Sequence, residues 1–535
     1  MRVESPSPAA GSGATPDGPA APHVHPWLEA LAVLAGTFMV VLDSTVVNVS
    51  LPHIASSLSA SIEESTWALT TYLAANAIVL PITGWLANYF GRKRLLLLSI
   101  VGFTVTSVLC GVAQSLWFLI FCRIVQGATG GVMQPLSQAI MLEAFPPRKR
   151  GQAMALWGIG IVVAPILGPV LGGWLTENLS WRWVFYINVP VGVVALLMVE
   201  AFIFDPPYIR RLSSRIDWWG LSLLGLGIAA LQIALDQGQK EDWLASNWIV
   251  ALLVVAVVGL AAMIIRELRV DNPIIDLRVF RERSYTAGVL LMTVLGFVLY
   301  GSLVVMPVML QTLLGYSSVD AGNAMAPRGL GTLCIMPLVG IIIGRVDPRK
   351  ILAAGFITCS LTFMWLARLN MQVGYWDIFW PQFFQGAGLG MLFTPLATVS
   401  MDRIARQDMG NATSLFNLMR NMGGAGGIAV VQTLLARQRQ IHTNSLVAHV
   451  TGYDAGSQQF LAGLTSTMIA RGSDAVTAAQ RSYAAVFGMV QRQAAMMAFI
   501  DSFWVMGLVF LALLPLILLM RRPEHMGPGP MSAPE

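Results

Sequence analysis

Residues 28–52 read LEALAVLAGTFMVVLDSTVVNVSLP, an apolar run that carries one central carboxylate, Asp43. A helix needs about twenty apolar residues to cross the hydrocarbon of a bilayer, so this run predicts a membrane span. An ionised side chain at that depth costs about 3 kcal/mol or more unless it faces water, finds a partner or binds a proton. Asp43 therefore indicates an ion or substrate pathway.

The composition predicts membrane spans along the whole chain. Of its 535 residues, 56% are hydrophobic and 11% charged, whereas soluble proteins carry roughly a quarter charged residues. Continuous apolar runs favour helices over a β-barrel. We predict an all-α polytopic membrane protein with fourteen spans, at 28–50, 66–87, 95–114, 116–142, 152–174, 183–205, 216–236, 247–266, 285–310, 320–344, 351–368, 377–400, 411–435 and 498–520.

The basic residues predict the orientation of these spans. Most of the 33 lysines and arginines lie in segments on the same side as the N-terminus, at Arg2, Arg92–Arg94, Arg148–Arg150, Arg210–Arg215, Arg266–Arg283, Arg345–Lys350, Arg403–Arg406 and Arg521–Arg522. Short loops on the other side hold Arg182, Lys240 and Arg368. The positive-inside rule predicts that both termini are cytoplasmic. The net charge of +5 reflects topology rather than nucleic-acid binding, because the basic residues are dispersed.

An internal repeat divides the predicted spans into two halves. An offset of 259 residues aligns Gln126-Gly127 with Gln385-Gly386 and Gly151 with Gly410. Duplicated halves around a midplane site are the architecture of many secondary transporters. We predict a disordered cytoplasmic tail at 1–27, a six-helix half at 28–205, a linker with two extra spans at 206–284, a second six-helix half at 285–520 with a long outer loop at 437–497, and a cytoplasmic tail at 521–535.

The residue patterns predict neither an enzyme nor a cofactor. None of the four lysines follows glycine in a Walker A context, so ATP is not the predicted energy source. The four cysteines lie singly in apolar spans, and the six histidines lie outside the spans. We therefore predict no disulfide framework and no metal site.

Five motifs occur in order along the chain. They are Leu42–Pro52, Gly84–Arg94, Arg123-x-x-Gln126-Gly127, Pro165-x-x-Gly168-Pro169-x-x-Gly172-Gly173 and Trp181–Pro190. With the fourteen spans, they resemble the fourteen-helix drug:proton antiporters of the major facilitator superfamily, specifically the EmrB-type multidrug exporters. The resemblance covers about 28–520. Two positions depart from the family pattern, with Ser50 in place of alanine and Asn88 in place of aspartate.

The resemblance implies gating roles for two of these motifs. One set lies at the inner turn after the second span and resembles an inner-gate latch, in which the family's aspartate pairs with the other half. In this chain the set is Gly84, Asn88, Gly91 and Arg92. Asn88 can hydrogen bond but cannot ionise. The other set resembles a bend that helps to seal the inner cavity where the fifth span meets the second half: Pro165, Gly168, Pro169, Gly172 and Gly173. The alternatives are topology with helix capping for the first set, and a kinked packing helix for the second.

The charges inside the spans predict a proton site. Asp43 and Arg123 both lie roughly 10 Å below the outer boundary, at 1.5 Å per residue. An arginine beside a carboxylate favours its ionised form, and separation favours protonation. We predict that Asp43 is the main protonation site and Arg123 its conformation-dependent partner; the alternative is a permanent structural ion pair. Arg328 is predicted to snorkel or to cap a helix. The substrate-cavity candidates are Asn48, Gln126, Asn417 and Arg420.

The resemblance, together with the buried charges, implies proton-coupled export of lipophilic drugs or toxic compounds across the bacterial inner membrane by alternating access. The predicted partners are a small lipophilic substrate, protons and membrane lipid. The resemblance alone implies a periplasmic adaptor and an outer-membrane channel. Two alternatives stay open, namely export of an endogenous solute such as a lipid or a siderophore, and a membrane sensor or enzyme that transports nothing.

Overall fold

A computed structural model describes residues 25–205, 217–270, 273–450 and 454–520. Within these ranges the long elements are helices. In chain order they are α1 (Pro26–Ser57), α2 (Ile62–Val79), α3 (Thr83–Phe90), α4 (Arg92–Gly111), α5 (Leu116–Ala144), α6 (Arg150–Asn178), α7 (Trp183–Tyr186), α8 (Asn188–Phe202), α9 (Trp218–Gln237), α10 (Asn247–Glu267), α11 (Arg283–Thr312), α12 (Ser318–Ile342), α13 (Pro348–Leu366), α14 (Tyr375–Met401), α15 (Met409–Val447), α16 (Ala455–Ala470) and α17 (Ala475–Ala512).

Twelve helical segments of the described chain are long and apolar enough to cross a membrane. Helices α2 and α3 form one of these segments, and α7 and α8 form another. Helices α14 and α15 are long enough but carry polar and small residues that the neighbouring helices bury, such as Gln385 and Asn417. With these two, the described part of the chain has fourteen membrane-crossing helices, as the sequence predicts.

Most helix ends lie within a few residues of the predicted spans, and two differences change a predicted segment. Helix α1 begins at Pro26, inside the segment predicted as a tail. The predicted outer loop at 437–497 is largely helical, because α15 continues to Val447, α16 follows, and α17 begins at Ala475. The rest of the predicted tails and the basic residues Arg2, Arg210, Arg211, Arg215, Arg521 and Arg522 lie outside the described residues.

Proline and glycine shape the second span and its inner turn. Pro81 lies in a short 3₁₀ segment, Leu80–Ile82, that separates α2 from α3, as expected where a proline cannot donate a backbone hydrogen bond. Gly91 has a φ of +87° between α3 and α4, a conformation that favours glycine. The Lys93 backbone N–H donates to Asp205 Oδ1 at 2.9 Å, which ties this turn to the end of α8.

Equivalent close contacts recur in the two groups of helices. Helices α1–α8 pack together, and helices α11–α15 pack together with α17. In the first group, a Cβ on Gly127 of α5 would collide with the carbonyl of Tyr72 on α2. In the second, a Cβ on Gly386 of α14 would collide with the carbonyl of Arg328 on α12. Small residues thus allow the same close approach in both groups.

Helices α6 and α12 form the principal contact between the two groups. At the inner end, a Cβ on Gly340 would lie 3.1 Å from the Gly151 carbonyl oxygen. At the outer end, a Cβ on Gly322 would lie 2.9 Å from a methyl carbon of Val170. Helices α9 and α10 form a hairpin whose first helix packs on α2 and α15. The hairpin therefore lies beside the seam.

Candidate transport site

The buried carboxylate of Asp43 is held by side chains from two other helices, and a third helix supports these side chains. Its side chain is 0% exposed. Arg123 Nη1 on α5 donates to Asp43 Oδ2 at 2.6 Å. Asn188 Nδ2 on α8 and Gln126 Nε2 on α5 donate to Asp43 Oδ1 at 2.8 and 3.3 Å. Ser107 on α4 accepts from both amides, at 3.1 and 2.6 Å. The cluster therefore joins α1, α4, α5 and α8.

Arg123 has partners besides Asp43. Its Nε donates to the Ala68 carbonyl oxygen at 3.1 Å, and its Nη1 also donates to Gln126 Oε1 at 2.8 Å. Its guanidinium carbon lies 3.9 Å from the centre of the Tyr72 ring, within the range of a cation–π contact. Among the described residues, Nη2 of Arg123 has no hydrogen-bond partner. One donor therefore stays available while the ion pair is closed.

The sequence reasoning found the ion pair but missed Asn188, Ser107 and Tyr72. Asn188 lies inside the motif Trp181–Pro190, so the motif itself was the available signal. Ser107 and Tyr72 carry no sequence signal of this kind, because serine and tyrosine are ordinary residues in an apolar helix. Their roles become visible only when α2 and α4 pack against α1 and α5.

The corresponding cluster in the second half differs chemically. The offset of 259 residues places Ser302 at the position of Asp43, and Gln382 at that of Arg123. Arg328 lies on α12 instead, and its Nη2 donates to Ser302 Oγ at 2.9 Å. The expectation that Arg328 snorkels or caps is wrong, because it is only 2% exposed. The two halves therefore do not duplicate the buried acid.

A cavity lies between the two groups of helices. Its volume is about 140 Å³, and α1, α2, α5, α6, α9, α11 and α15 contribute to its wall. The wall is mostly apolar and aromatic, with polar groups from Asn76, Gln134, Gln232 and Asn421. Drug-sized ligands generally need roughly 300–1,000 Å³. Binding such a ligand would therefore require the cavity to widen.

Tyr72 connects the cavity with the ion pair. Tyr72 lines the cavity, and its ring also contacts the Arg123 guanidinium. Its hydroxyl donates to the Val40 carbonyl oxygen at 3.4 Å. Ser44 and Thr45, which directly follow Asp43 in α1, also line the cavity. A ligand in the cavity would thus be one side chain away from the carboxylate.

Three predicted cavity residues lie elsewhere, because their polar groups find buried partners. Gln126 belongs to the Asp43 cluster. Asn417 Nδ2 donates to Gln138 Oε1 at 2.6 Å, and Arg420 Nη2 donates to Gln134 Oε1 at 2.6 Å. These two bonds join α15 to α5, so the structure places Asn417 and Arg420 in the seam between the halves.

The fourth predicted cavity residue, Asn48, is exposed. Its Nδ2 donates to the Ser44 carbonyl oxygen at 3.4 Å. Because residues four apart share a helix face, Asn48 lies on the face of α1 that carries Ser44, one turn further along the helix.

The predicted inner latch is built from backbone contact and an ion pair within one half. A Cβ on Gly84 would lie 2.6 Å from the Asn411 backbone nitrogen, so α3 meets α15 directly here. Arg92 donates to both carboxylate oxygens of Glu143 on α5, at 2.5 and 2.8 Å. Asn88 is half-buried and forms no side-chain hydrogen bond with a described residue. The cross-half contact therefore comes from Gly84, not from a charge at position 88.

The motif of prolines and glycines in α6 faces mainly its own half. A Cβ on Gly168 would collide with Thr45, and one on Gly172 would lie 2.7 Å from the Val46 carbonyl oxygen. Gly173 has more room, with Val49 Cγ1 at 3.9 Å. Pro165 lines the cavity, and Pro169 lies one turn further along the helix. Between these residues, Ile166 and Val170 face Gly329 and Gly322 of α12, so the segment lies at the interface with the second half, and the sealing bend stays a prediction.

Comparisons with known proteins agree with this architecture. The family model described as Major Facilitator Superfamily matches residues 33–428. The chain is 38% identical over 495 residues to the multidrug export protein EmrB of Haemophilus influenzae, covering 92% of this chain and 95% of that protein. It is 36% identical over 500 residues to the fatty acid resistance protein FarB of Neisseria gonorrhoeae, covering 93% and 97%.

A solved structure shows the same fold. The human organic anion transporter MFSD10 has a TM-score of 0.61 at 13% identity, covering 92% of this chain and 100% of that chain. The membrane-crossing helices, the seam between two groups of helices and these matches all agree. The chain is therefore a multi-pass membrane protein of the major facilitator superfamily, a family of transporters rather than enzymes, and it is closely related to the EmrB multidrug export proteins.

Proposed function

We propose that this protein exports lipophilic drugs or toxic compounds in exchange for protons, by alternating access. The observation that carries the proposal is the position of Tyr72, which lines the cavity and contacts Arg123, the ion-pair partner of Asp43. Substrate and proton sites that share a side chain can influence each other's occupancy. The relatives named for multidrug export and fatty acid resistance support the substrate class.

The proposed cycle uses the two charges as a switch. In one state, Arg123 forms an ion pair with Asp43. A proton from the outside neutralises Asp43 when Arg123 moves away, and its release inside follows the return of Arg123. The two halves, 28–205 and 285–520, rock about the seam of α6 and α12 during this exchange. The linker at 206–284 carries the extra hairpin.

The substitution Asp43→Asn tests the proposal. The amide keeps the shape but cannot bind or release a proton, so we expect proton-driven substrate transport to fall at least about tenfold. The measurement is uptake into proteoliposomes under an imposed pH gradient, with thermal unfolding of the purified variant as the folding check. Glu177→Gln is the matched control, because Glu177 is an exposed acid at the outer end of α6. Undiminished proton-coupled transport by Asp43→Asn would reject the proposal.

We place the protein in the bacterial inner membrane, with a periplasmic adaptor and an outer-membrane channel as partners. Bacterial relatives support the location, and the helical extensions of α15 and α17 with α16 provide a surface at the outer side. A pull-down from crosslinked cells of the native host should recover both partners. Recovery of the exporter alone would count against this assembly.

A second candidate substrate class is an endogenous lipid-like solute. The similarity to a protein named for fatty acid resistance favours it. A resistance profile of an overexpressing strain, measured with drugs and with long-chain fatty acids, separates the two classes.

A further inference from the structure

We propose that Asp236 on α9 binds the positively charged group of cationic substrates, so that the extra hairpin sets the charge preference of the cavity. The inference deepens the proposed export function and rests on it. It assigns a direct role in substrate recognition to a helix outside the two six-helix halves.

Asp236 is the sole charged side chain among the described residues that line the cavity. Helix α9 contributes Gln232, Leu235 and Asp236 to this wall. The ion pair of Asp43 and Arg123 is fully buried behind the wall. In the second half, Arg420 is buried behind the wall and donates to Gln134 and Asn421. The charge on the cavity surface itself is therefore supplied by α9.

The partners of Asp236 leave its charge unmatched. The Thr70 hydroxyl on α2 and Gln237 Nε2 both donate to Asp236 Oδ2, the latter at 3.1 Å. Both donors are neutral, and the described residues contain no cation paired with Asp236. Lys240 lies four residues after Asp236, and its Nζ donates to Thr66 Oγ1 at 3.3 Å instead. A half-buried carboxylate without a counterion favours a cationic ligand.

The remaining cavity wall suits a lipophilic cation. Tyr72 and Tyr300 provide aromatic rings, and Met422 and Ile428 provide apolar surface. Aromatic faces attract cations, and methionine adapts to ligands of different shape. One carboxylate in such a wall distinguishes ligands by charge, because a neutral ligand would desolvate Asp236 without replacing the lost interaction with water.

The outer end of the hairpin holds α9 beside the cavity. Thr70 links Asp236 to the first half. After the turn that follows α9, Trp243 Nε1 donates to Thr433 Oγ1 on α15 at 2.8 Å, which links the same end to the second half. Asp236 is thus positioned from both sides of the seam.

Binding of two ligands of similar size but different charge tests the proposal. The probes are the cation tetraphenylphosphonium and the neutral compound triphenylphosphine oxide, titrated into the purified full chain. We expect Asp236→Asn to raise the Kd of the cation about tenfold or more, a loss of about 1.4 kcal/mol, and to leave the Kd of the neutral probe within about twofold. Asp236→Glu should keep the preference, and Thr70→Val should keep most of it because the charge stays.

The matched control is Asp242→Asn. Asp242 is an exposed acid in the turn after α9, with a φ of +56° that asparagine tolerates. It should change neither Kd. Three results would overturn the inference. They are an equal rise of both Kd values in Asp236→Asn, no change in either Kd, and no preference for the cation in the unmodified protein.

Transport in proteoliposomes separates this inference from the proposed function. Under an imposed pH gradient, Asp236→Asn should still move the neutral probe. Loss of that transport with its binding retained would make Asp236 a proton-coupling residue and overturn the inference. Failure of the unmodified protein to move either probe would reject the proposed function, while the difference between the Kd values would still decide whether Asp236 selects cations.

Discussion

At the residue scale, the cost of burying Asp43 is offset by charge-assisted and amide hydrogen bonds. Arg123, Asn188 and Gln126 all donate to its carboxylate. Removing one member of a buried ion pair generally costs about 3–5 kcal/mol, because the other charge stays without compensation. A variant of Asp43 must therefore be tested for stability as well as for transport.

Substitutions of Tyr72 should separate substrate binding from proton release. Tyr72→Leu removes the ring that contacts Arg123, so we expect substrate-induced proton release to fall about fivefold or more, in line with the loss of a cation–π contact of about 1 kcal/mol. Tyr72→Phe keeps the ring and loses one long hydrogen bond, so most of the release should remain. The measurement is proton release from purified protein on substrate addition. Equal release from both variants would show that the ring does not couple the sites.

At the scale of elements, α6 carries two different contacts along one helix. Its glycines allow α1 to approach closely, while its Ile166 and Val170 face Gly329 and Gly322 of α12. One helix therefore connects the carrier of Asp43 to the other half. A change in the packing of α6 on α1 affects the segment next to the proton site.

Two alanine substitutions in α6 test this packing. A Cβ at position 168 collides with Thr45, whereas a Cβ at position 173 has room. Overpacking typically costs about 1–3 kcal/mol, so Gly168→Ala should lower the Tm by several degrees and Gly173→Ala should leave it nearly unchanged. Thermal unfolding of the purified variants measures both. Equal Tm values would show that α1 moves aside without cost.

Across the whole molecule, several contacts between the halves lie on the inner side. Gly84 meets Gly410–Asn411, and two side-chain bonds join α5 to α15. The cavity lies further out, between Tyr72, Asn76 and Asp236. The structure thus combines inner-side contacts between the halves with a central cavity, an arrangement that suits one state of the proposed alternating-access cycle.

Spin-label distances test the rocking of the halves. Labels at Arg94→Cys and Arg345→Cys report on the inner side, and labels at Glu177→Cys and Val319→Cys on the outer side; these positions are exposed. Cys334 is exposed and is first replaced by serine. Lowering the pH should lengthen the inner distance and shorten the outer one. Asp43→Asn should abolish the response. Inner and outer distances that both lengthen or both shorten would contradict rocking about α6 and α12.

The sequence was sufficient for much of the site because its signals are local. Asp43 and Arg123 are charges in apolar runs, and counting residues along a helix places both at one depth. The structure brings them to 2.6 Å. Counting could not place Asn417 and Arg420, because a position at mid-depth does not say whether a side chain faces the cavity or the seam.

Hydropathy, loop charge and motif order are enough to predict the membrane class, the number of crossing helices and the family. The packing of the helices was needed to show that Tyr72 joins the cavity to the ion pair, that Arg328 is buried, and that α9 brings Asp236 to the cavity wall. These contacts join helices that are far apart in the chain. Their rotation and approach are set by packing, through the small residues at each crossing.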